Sequence, residues 1–361
     1  MKTNFIKASA AIAFLVLCQP LFAQQNVTTP RPSLAASVSQ TVGISTVTVT
    51  YSRPAVKERE VWGGLVPFGW NVQAFGSEHD APWRAGANEN TVIELSHAAK
   101  IQDKEVPAGS YGLFFVINQD NTGEVILSKD YKSWGNYAYD PARDQMRAPI
   151  QPREGSFTEY LTYDFVSADK NSTELVLSWE KKQLPVKITF ATDDIVMANA
   201  ADELKGAKAF DWKAHASAAN YALQNKVSLE QGLQWANRAV AQNKNFTSLN
   251  IQSGLLKEMG KTTEAEKAKK EALALATEIE LNAYGYELLG MNQHDKAIEV
   301  LKLTTERYPK SANAWDSLGE AYAVKGDKKS AIANFKKALS MNPPENVRAN
   351  SEKYLKQFGA L

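Results

Sequence analysis

Cysteine is almost missing from this chain: its 361 residues hold one, Cys18. That excludes a disulfide framework, a cysteine-based zinc cluster and, once the N-terminal segment discussed below is removed, a thiol nucleophile. Histidine is scarce as well. The four present, His79, His97, His215 and His294, have no second histidine at metal-ligand spacing, and no H-E-x-x-H occurs. The nucleophile-elbow pattern G-x-S-x-G is absent too. His79-Asp80, with Ser77 or Glu78 beside it, has the composition of a base and its orienter, but adjacent residues rarely reach that geometry. Gly260-Lys261-Thr262-Thr263 resembles the end of a phosphate-binding loop, yet position 255 is Leu255 where glycine is required, and no strand precedes it. No cofactor and no metal is therefore expected. Charge of one sign is not in excess either, with 41 Lys+Arg against 40 Asp+Glu. Without a basic stripe there is no electrostatic reason to expect nucleic acid as a partner. Beyond the N-terminus no apolar run approaches the roughly 20 residues that span a bilayer, so no membrane span is expected.

What is present is an ordinary globular balance, 44% hydrophobic and 22% charged, in a length that suggests two or three domains. Residues 1–23 read as a signal peptide. Lys2 and Lys7 supply the positive start, residues 8–18 the apolar stretch, and Leu21-Phe22-Ala23 a small residue before a cut ahead of Gln24. A lipid anchor on Cys18 is disfavoured by the bulky Leu17. Loss of Lys2 and Lys7 takes the formal charge from +1 to −1. The mature protein is expected to be exported, to the periplasm of a Gram-negative bacterium.

From residue 30 to 190 the apolar period is two. Leu34, Ala36 and Val38 alternate with polar residues, as do Val47, Val49 and Tyr51, then Ile93 and Leu95, Leu161, Tyr163 and Phe165, Leu175, Leu177 and Trp179, and Leu184, Val186, Ile188 and Phe190. The continuous runs 112–117 and 125–127, separated by Asn121-Thr122-Gly123, suit a hairpin in the middle of a sheet. Eight or more short antiparallel strands predict a β-sandwich of jelly-roll type. Tyr111, after Pro107-Ala108-Gly109-Ser110, reads as a structural corner tyrosine.

Two segments in this domain read as long loops, where sites concentrate. The first, residues 53–90, carries Trp83, Arg84, Asn88 and Glu89; the second, residues 129–155, carries Trp134, Tyr139, Asp140, Asp144 and Arg147. Rings beside planar polar groups are the chemistry of a glycan, small-ligand or peptide site. The same residues would equally serve as anchors and ion pairs that hold long loops over a cysteine-free core. Both readings stay open on the sequence.

Ser52-Arg53-Pro54, residues 59–63, residues 83–91, residues 107–111, Trp134-Gly135 with residues 137–140, and Trp179-Glu180 together resemble the exported bacterial family known as Domain of Unknown Function 2911. The resemblance covers about residues 30–190 and is most specific at 83–91. It implies an exported bacterial protein, often with helical repeats behind the domain, and no established reaction.

Behind it the period changes to that of helices. Gly232, Ala265, Ala297 and Ala331 recur at intervals of 33, 32 and 34, and Ala239, Ala272, Thr304 and Ala338 repeat one face further on. Small residues at this spacing let paired helices cross closely. Gly260, Asn292 and Gly326 suit the turns, and Pro309 and Pro343 end second helices. In residues 312–343, Trp315, Leu318, Gly319, Tyr322, Ala331, Phe335, Ala338 and Pro343 resemble a tetratricopeptide (TPR) unit. The fold expected is thus a multidomain β + α chain, an antiparallel β-sandwich followed by an α-helical TPR solenoid. Its parts would be residues 30–190, a linker helix at 191–209 capped by Thr192 or Asp193, about four helix pairs at 210–344 starting near Phe210 and Trp212, and a capping helix at 345–361.

The function expected is that of a non-enzymatic binding or scaffold protein. The TPR groove would hold a peptide or protein partner, and the β-domain loops a glycan or small ligand. The alternative is a carbohydrate-active or cell-envelope enzyme using Glu89, Asp140 or Asp144 as a carboxylate pair. A purely structural envelope component is a third class. Two carboxyls facing each other across an open cleft would favour the enzyme; carboxyls bonded to arginines or backbone amides would count against it.

Overall fold

The structure is a computed structural model that describes residues 29–72 and 79–361. The expected signal peptide, Cys18 included, and Ser77 and Glu78 lie outside the described residues. Two units divide the chain, the first running to Thr189 apart from the turn Val42–Ser45, the second from Phe190 to Leu361.

The first unit is built of β1 (Leu34–Val42), β2 (Ser45–Arg53), β3 (Asn71–Val72), β4 (Asp80–Ala81), β5 (Val92–Leu95), β6 (Ala99–Ile101), β7 (Lys104–Val106), β8 (Gly109–Ile117), β9 (Gly123–Ser128), β10 (Asp144–Ile150), β11 (Arg153–Ala168) and β12 (Ser172–Thr189). They form a six-stranded sheet in the order β1-β2-β5-β8-β9-β10, a four-stranded sheet β11-β12-β6-β7, and the small pair β3-β4. Every register resolved is antiparallel. The sheets meet at Tyr51 on β2 and Tyr163 on β11, whose rings lie 4.7 Å apart edge to face. The Tyr163 amide also donates to the Tyr51 hydroxyl at 3.1 Å.

The apolar runs of β8 and β9 pair as a hairpin around the Asn121 turn, where Asn121 has φ 64° and Gly123 faces Ile117. Tyr111 donates its hydroxyl to the Pro107 carbonyl at 2.9 Å, a structural bond as its position implied. Two readings need correction. The segments at 175–179 and 184–190 are one long strand, β12. The change of phase between them comes from a bulge: Glu180 sits at φ 53°, and the pairing with β11 shifts between Glu154 and Thr162. β11 advances eight residues there against four on β12, and the buried set of β12 passes from odd to even positions across Glu180. Residues 144–150, read as loop, form β10. Met146, Ala148 and Ile150 are buried in alternation, and Pro149 is tolerated because β10 is an edge strand.

The second unit holds α1 (Thr192–Glu203), α2 (Trp212–Asn225), α3 (Leu229–Gln242), α4 (Phe246–Glu258), α5 (Thr262–Leu275), α6 (Glu278–Gly290), α7 (His294–Arg307), α8 (Ala312–Lys325), α9 (Lys328–Leu339) and α10 (Glu345–Gln357). The pairs α2/α3, α4/α5, α6/α7 and α8/α9 repeat one geometry. Ala239, Ala272, Thr304 and Ala338 are fully buried where paired helices cross. Gly319 shows why such positions must be small, since a Cβ there would lie 2.9 Å from the Phe335 ring. Between the helices of each pair stands a residue with positive φ: Lys226, Gly260, Asn292 and Gly326. Helix starts are capped from the side. Asn245 with Ser248 and Thr277 with Glu280 form reciprocal capping boxes, while Asp211, Ser311 and Asp327 accept from first-turn amides.

The repeat is also visible in the bonds that join successive pairs. Arg307 to the Leu273 carbonyl, Tyr286 to Glu320, and Asn350 to Asp316 each link residues 34 apart. The last of these ties α10 onto the array, where Val347 and Leu355 are buried. Two details differ from the sequence reading. The N-cap of α1 is Ala191, without a side-chain bond, and the Asp193 carboxylate instead accepts from the Tyr221 hydroxyl at 2.8 Å. Phe210 ends a 3-10 turn, Ala207–Phe210, and is exposed. α2 begins only at Trp212, because the Asp211 carboxylate caps the Lys213 amide at 2.9 Å.

Candidate functional site: a cleft over three indoles

The eight residues singled out from the sequence do not form one site. Trp83, Arg84 and Asn88 line an open cleft of about 600 Å³ in the first unit. Tyr139 and Arg147 belong to a separate cluster: the Tyr139 hydroxyl donates to Asp144 Oδ2 at 2.7 Å, and Arg147 donates to the same oxygen at 2.5 Å and to the Tyr139 hydroxyl at 3.1 Å. The Arg147 guanidinium also lies 4.8 Å from the Trp70 ring centre. Glu89 stands in a two-pronged exposed ion pair with Arg31, at 2.6 and 2.9 Å. Asp140 accepts from the Ala142 amide, capping the 3-10 turn Pro141–Arg143. Trp134 is exposed.

This arrangement bears on the carboxylate-pair alternative. Asp144 is held by Arg147 and Tyr139, Glu89 by Arg31, and Asp140 by a backbone amide. Burial raises the Asp144 pKa above the ordinary carboxylate value despite the bonds from Tyr139 and Arg147, and Arg31 lowers that of Glu89. Each carboxyl is bonded to an arginine or a backbone amide, though Asp144 Oδ1 is buried without a partner, and no two of them are seen to face each other, so the geometry does not favour a paired acid and base. Among the described residues no group of three or more His, Cys, Asp and Glu could hold a metal ion.

Trp83 and Trp179 line the cleft, and Trp62 packs against both without lining it. Trp83 and Trp179 stack nearly parallel, 6.0 Å apart at 14°, and Trp62 meets both edge-on at 5.8 and 6.1 Å. Trp83 is fixed through its backbone, which exchanges both bonds with Phe115 of β8 at 2.9 and 3.0 Å. The next residues turn sharply, since Ala85 has φ 55° and Asn88 φ 61°. A left-handed non-glycine residue costs about 1–2 kcal/mol. At Ala85 two buried hydroxyls hold it in place: Tyr163 donates to its carbonyl at 2.9 Å and Thr91 at 3.0 Å. Gly86 follows because a Cβ there would lie 2.7 Å from the Thr91 hydroxyl oxygen.

Arg84 is gripped by the second loop. Its guanidinium donates to the Asn88 carbonyl at 2.9 Å and to Asn136 Oδ1 at 3.4 Å, and it lies 5.0 Å from the Tyr137 ring centre. Gly135 is required at φ 67°, because a Cβ would come within 2.5 Å of the guanidinium carbon. The Asn136 amide donates to the Pro82 carbonyl at 2.8 Å. Opposite, Arg59 folds back onto its own turn, donating to the Val56 and Ala55 carbonyls at 3.0 and 2.5 Å. Lys57 and Glu58, at φ 48° and 56°, shape that turn.

Arg59, Lys57, Trp62, Trp179 and Asn136 are absent from the eight sequence candidates. A partial signal existed: Trp179 precedes the residue where the β12 alternation changes phase, and residues 59–63 are among the motifs of the family resemblance.

Residues 33–188 match the family model described as Protein of unknown function (DUF2911). The first unit resembles those proteins. Residues 312–345, which contain α8 and α9, match a tetratricopeptide repeat model. The DUF2911-like region therefore contains the whole cleft apart from Pro32, and the TPR match falls on the last helix pair. Among curated proteins, Superkiller complex protein 3 of Homo sapiens is 39% identical over 59 residues, 16% of this chain and 4% of that protein. The chain thus spans only a small fraction of the length of the curated relatives it matches. Among solved structures, that of MamA is 22% identical, covering 42% of this chain and 89% of that one at a TM-score of 0.28. YrrB, described as a TPR protein with an unusual peptide-binding site, is 18% identical over 45% and 84%, at 0.27. Likenesses this partial identify no function, and the helical architecture stands on the repeat register itself.

Proposed function

We propose that this is an exported, non-enzymatic binding protein, periplasmic in a Gram-negative bacterium, whose TPR array docks a peptide or protein partner and whose DUF2911-like unit takes a small ligand or glycan in its cleft. The observation that carries the docking role is the face made by α2 and α4, the first helices of the first two pairs. Their side chains Ser217, Asn220 and Thr247, with Trp212 and Ile251, border an open groove of about 370 Å³. Ser217, Asn220 and Thr247 are exposed, while the buried sides of both helices are occupied by Ala216, Ala219, Ala222, Leu249 and Leu255. Polar, hydrogen-bonding side chains over an apolar floor are what an extended peptide requires of a helical groove.

The test is site-specific photo-crosslinking of the full chain in living cells. A probe at Thr247 or Asn220 is expected to capture one discrete partner that a probe at the exposed Lys267 of α5 does not. Equal capture from all three positions, or none, would contradict the docking role. Sequencing the N-terminus of the mature chain tests export, with a start at Gln24 expected. A chain that retains Met1 and stays in the cytoplasmic fraction would contradict it.

A further inference from the structure

We infer that the ligand of the indole cleft is an anion, a carboxylate or phosphate carried on a sugar-sized ring. This rests on the reading of the cleft as a ligand site and adds the charge of what enters it. Lys57, Arg59 and Arg84 all line the cleft, and no aspartate or glutamate does. None of the three makes an ion pair among the described residues, although ion pairs are formed elsewhere in the same unit by Arg31, Arg143, Arg147 and Arg153.

The protein acceptors of the two arginines are neutral. Arg59 spends its Nε and Nη2 groups on carbonyls, and Arg84 spends its two terminal nitrogens on a carbonyl and an amide. These bonds fix both guanidinium planes without neutralising them. Three like charges line one concave cleft, and such a cleft focuses a positive potential that an anion relieves. Oriented guanidinium forks suit carboxylate or phosphate oxygens, for which charge-assisted bonds are roughly twice as strong as neutral ones.

The half-buried Trp83 ring, backed by the buried Trp179, provides an apolar surface against which the face of a sugar ring can rest. Backbone strain gathers around the cleft, with Lys57, Glu58, Ala85 and Asn88 all at positive φ. Strained residues held in this way concentrate at sites of function.

Calorimetry and tryptophan fluorescence on the full mature chain test this with three probes of one ring size: glucuronate, glucose 6-phosphate and glucose. At least one of the two anions is expected to bind, to change the indole emission and to lose affinity as salt is added, while glucose does not bind. Which anion binds distinguishes carboxylate from phosphate. Lys57→Glu, at an exposed side chain with no buried partner, is expected to weaken the anion severalfold, and Arg84→Gln to abolish its binding. Circular dichroism of each variant confirms folding. Glucose binding as well as glucuronate would overturn the charge assignment and leave the cleft a ligand site. No response to any probe would overturn both. Undiminished anion binding by the folded Lys57→Glu protein would place the anion elsewhere.

Discussion

The cleft and the helical array are assembled over different distances along the chain. In the first unit, the bonds that shape the cleft join residues far apart and at unrelated separations: Tyr163 to Ala85 across 78 positions, Asn136 to Pro82 across 54, and Arg84 to Asn136 across 52. In the second, the linking bonds recur at 33 or 34 positions, as between Ser311 and Glu278, Arg307 and Leu273, or Tyr286 and Glu320. A repeat array gains its stability from neighbouring pairs, so its rules are local and written many times. The cleft is written once. A change in the array is therefore expected to weaken a stack of pairs, whereas a change at the cleft acts on one loop and what it presents.

The largest expected effect breaks the array alone. Phe335 is fully buried between Ala331 and Leu355, and Phe335→Ala is expected to cost about 3–5 kcal/mol. Urea unfolding followed by circular dichroism should show the helical transition shifted down, while amide exchange across β8 of the first unit keeps its midpoint. A shift of both together would show that the two units unfold as one.

Next in size is a change confined to the cleft. Tyr163→Phe removes the bond to the Ala85 carbonyl deep in the core and is expected to cost about 1–2 kcal/mol. It should also loosen residues 83–91. Altered stability with unchanged anion affinity would separate the loop's rigidity from its binding.

A smaller effect sharpens the comparison through pH. Lys269 of α5 is half-buried beside Tyr284, whose hydroxyl is 2.9 Å away. Burial, with some repulsion from Lys257 and Lys296 and against the attraction of Glu287, brings its pKa down to about 8. Its folded pKa lies below the unfolded value, so the unfolded chain holds the extra proton between the two. Stability rises with pH through that window, from about 8 toward the ordinary 10.5. Lys269→Met removes this term. The difference in melting temperature, variant minus wild type, should therefore fall steadily from pH 7 to pH 10, and a constant difference would contradict the burial argument. The smallest effect is expected for Glu89→Gln, which opens an exposed pair with Arg31 and should cost under about 1 kcal/mol by urea titration.

This contrast also explains what could be read in the sequence. The helix pairs were legible because Ala239, Ala272, Thr304 and Ala338 mark their register at nearly constant spacing. The strands were legible wherever alternation was unbroken, and failed where it was interrupted: at the Glu180 bulge, which divided β12, and at Pro149, which disguised β10. In the cleft, Trp83, Arg84 and Asn88 could be picked out because they stand together in one short segment. Arg59 and Trp179 could not be joined to them, since positions 59, 84 and 179 become neighbours only through the sheet pairing. Arg147 was legible as a charge that pairs with a loop carboxylate, and it does so with Asp144, whereas Glu89 pairs with Arg31, which lies outside both loop segments.

Bonds from Tyr163, Thr91 and Phe115 hold residues 83–91 in the conformation that presents the cleft. Amide hydrogen exchange on the full chain tests it most directly. The Trp83 amide, bonded to Phe115, is expected to exchange as slowly as the neighbouring β8 core, with or without an added anion. Exchange of that amide at the rate of an exposed loop, slowing only when an anion is added, would contradict it.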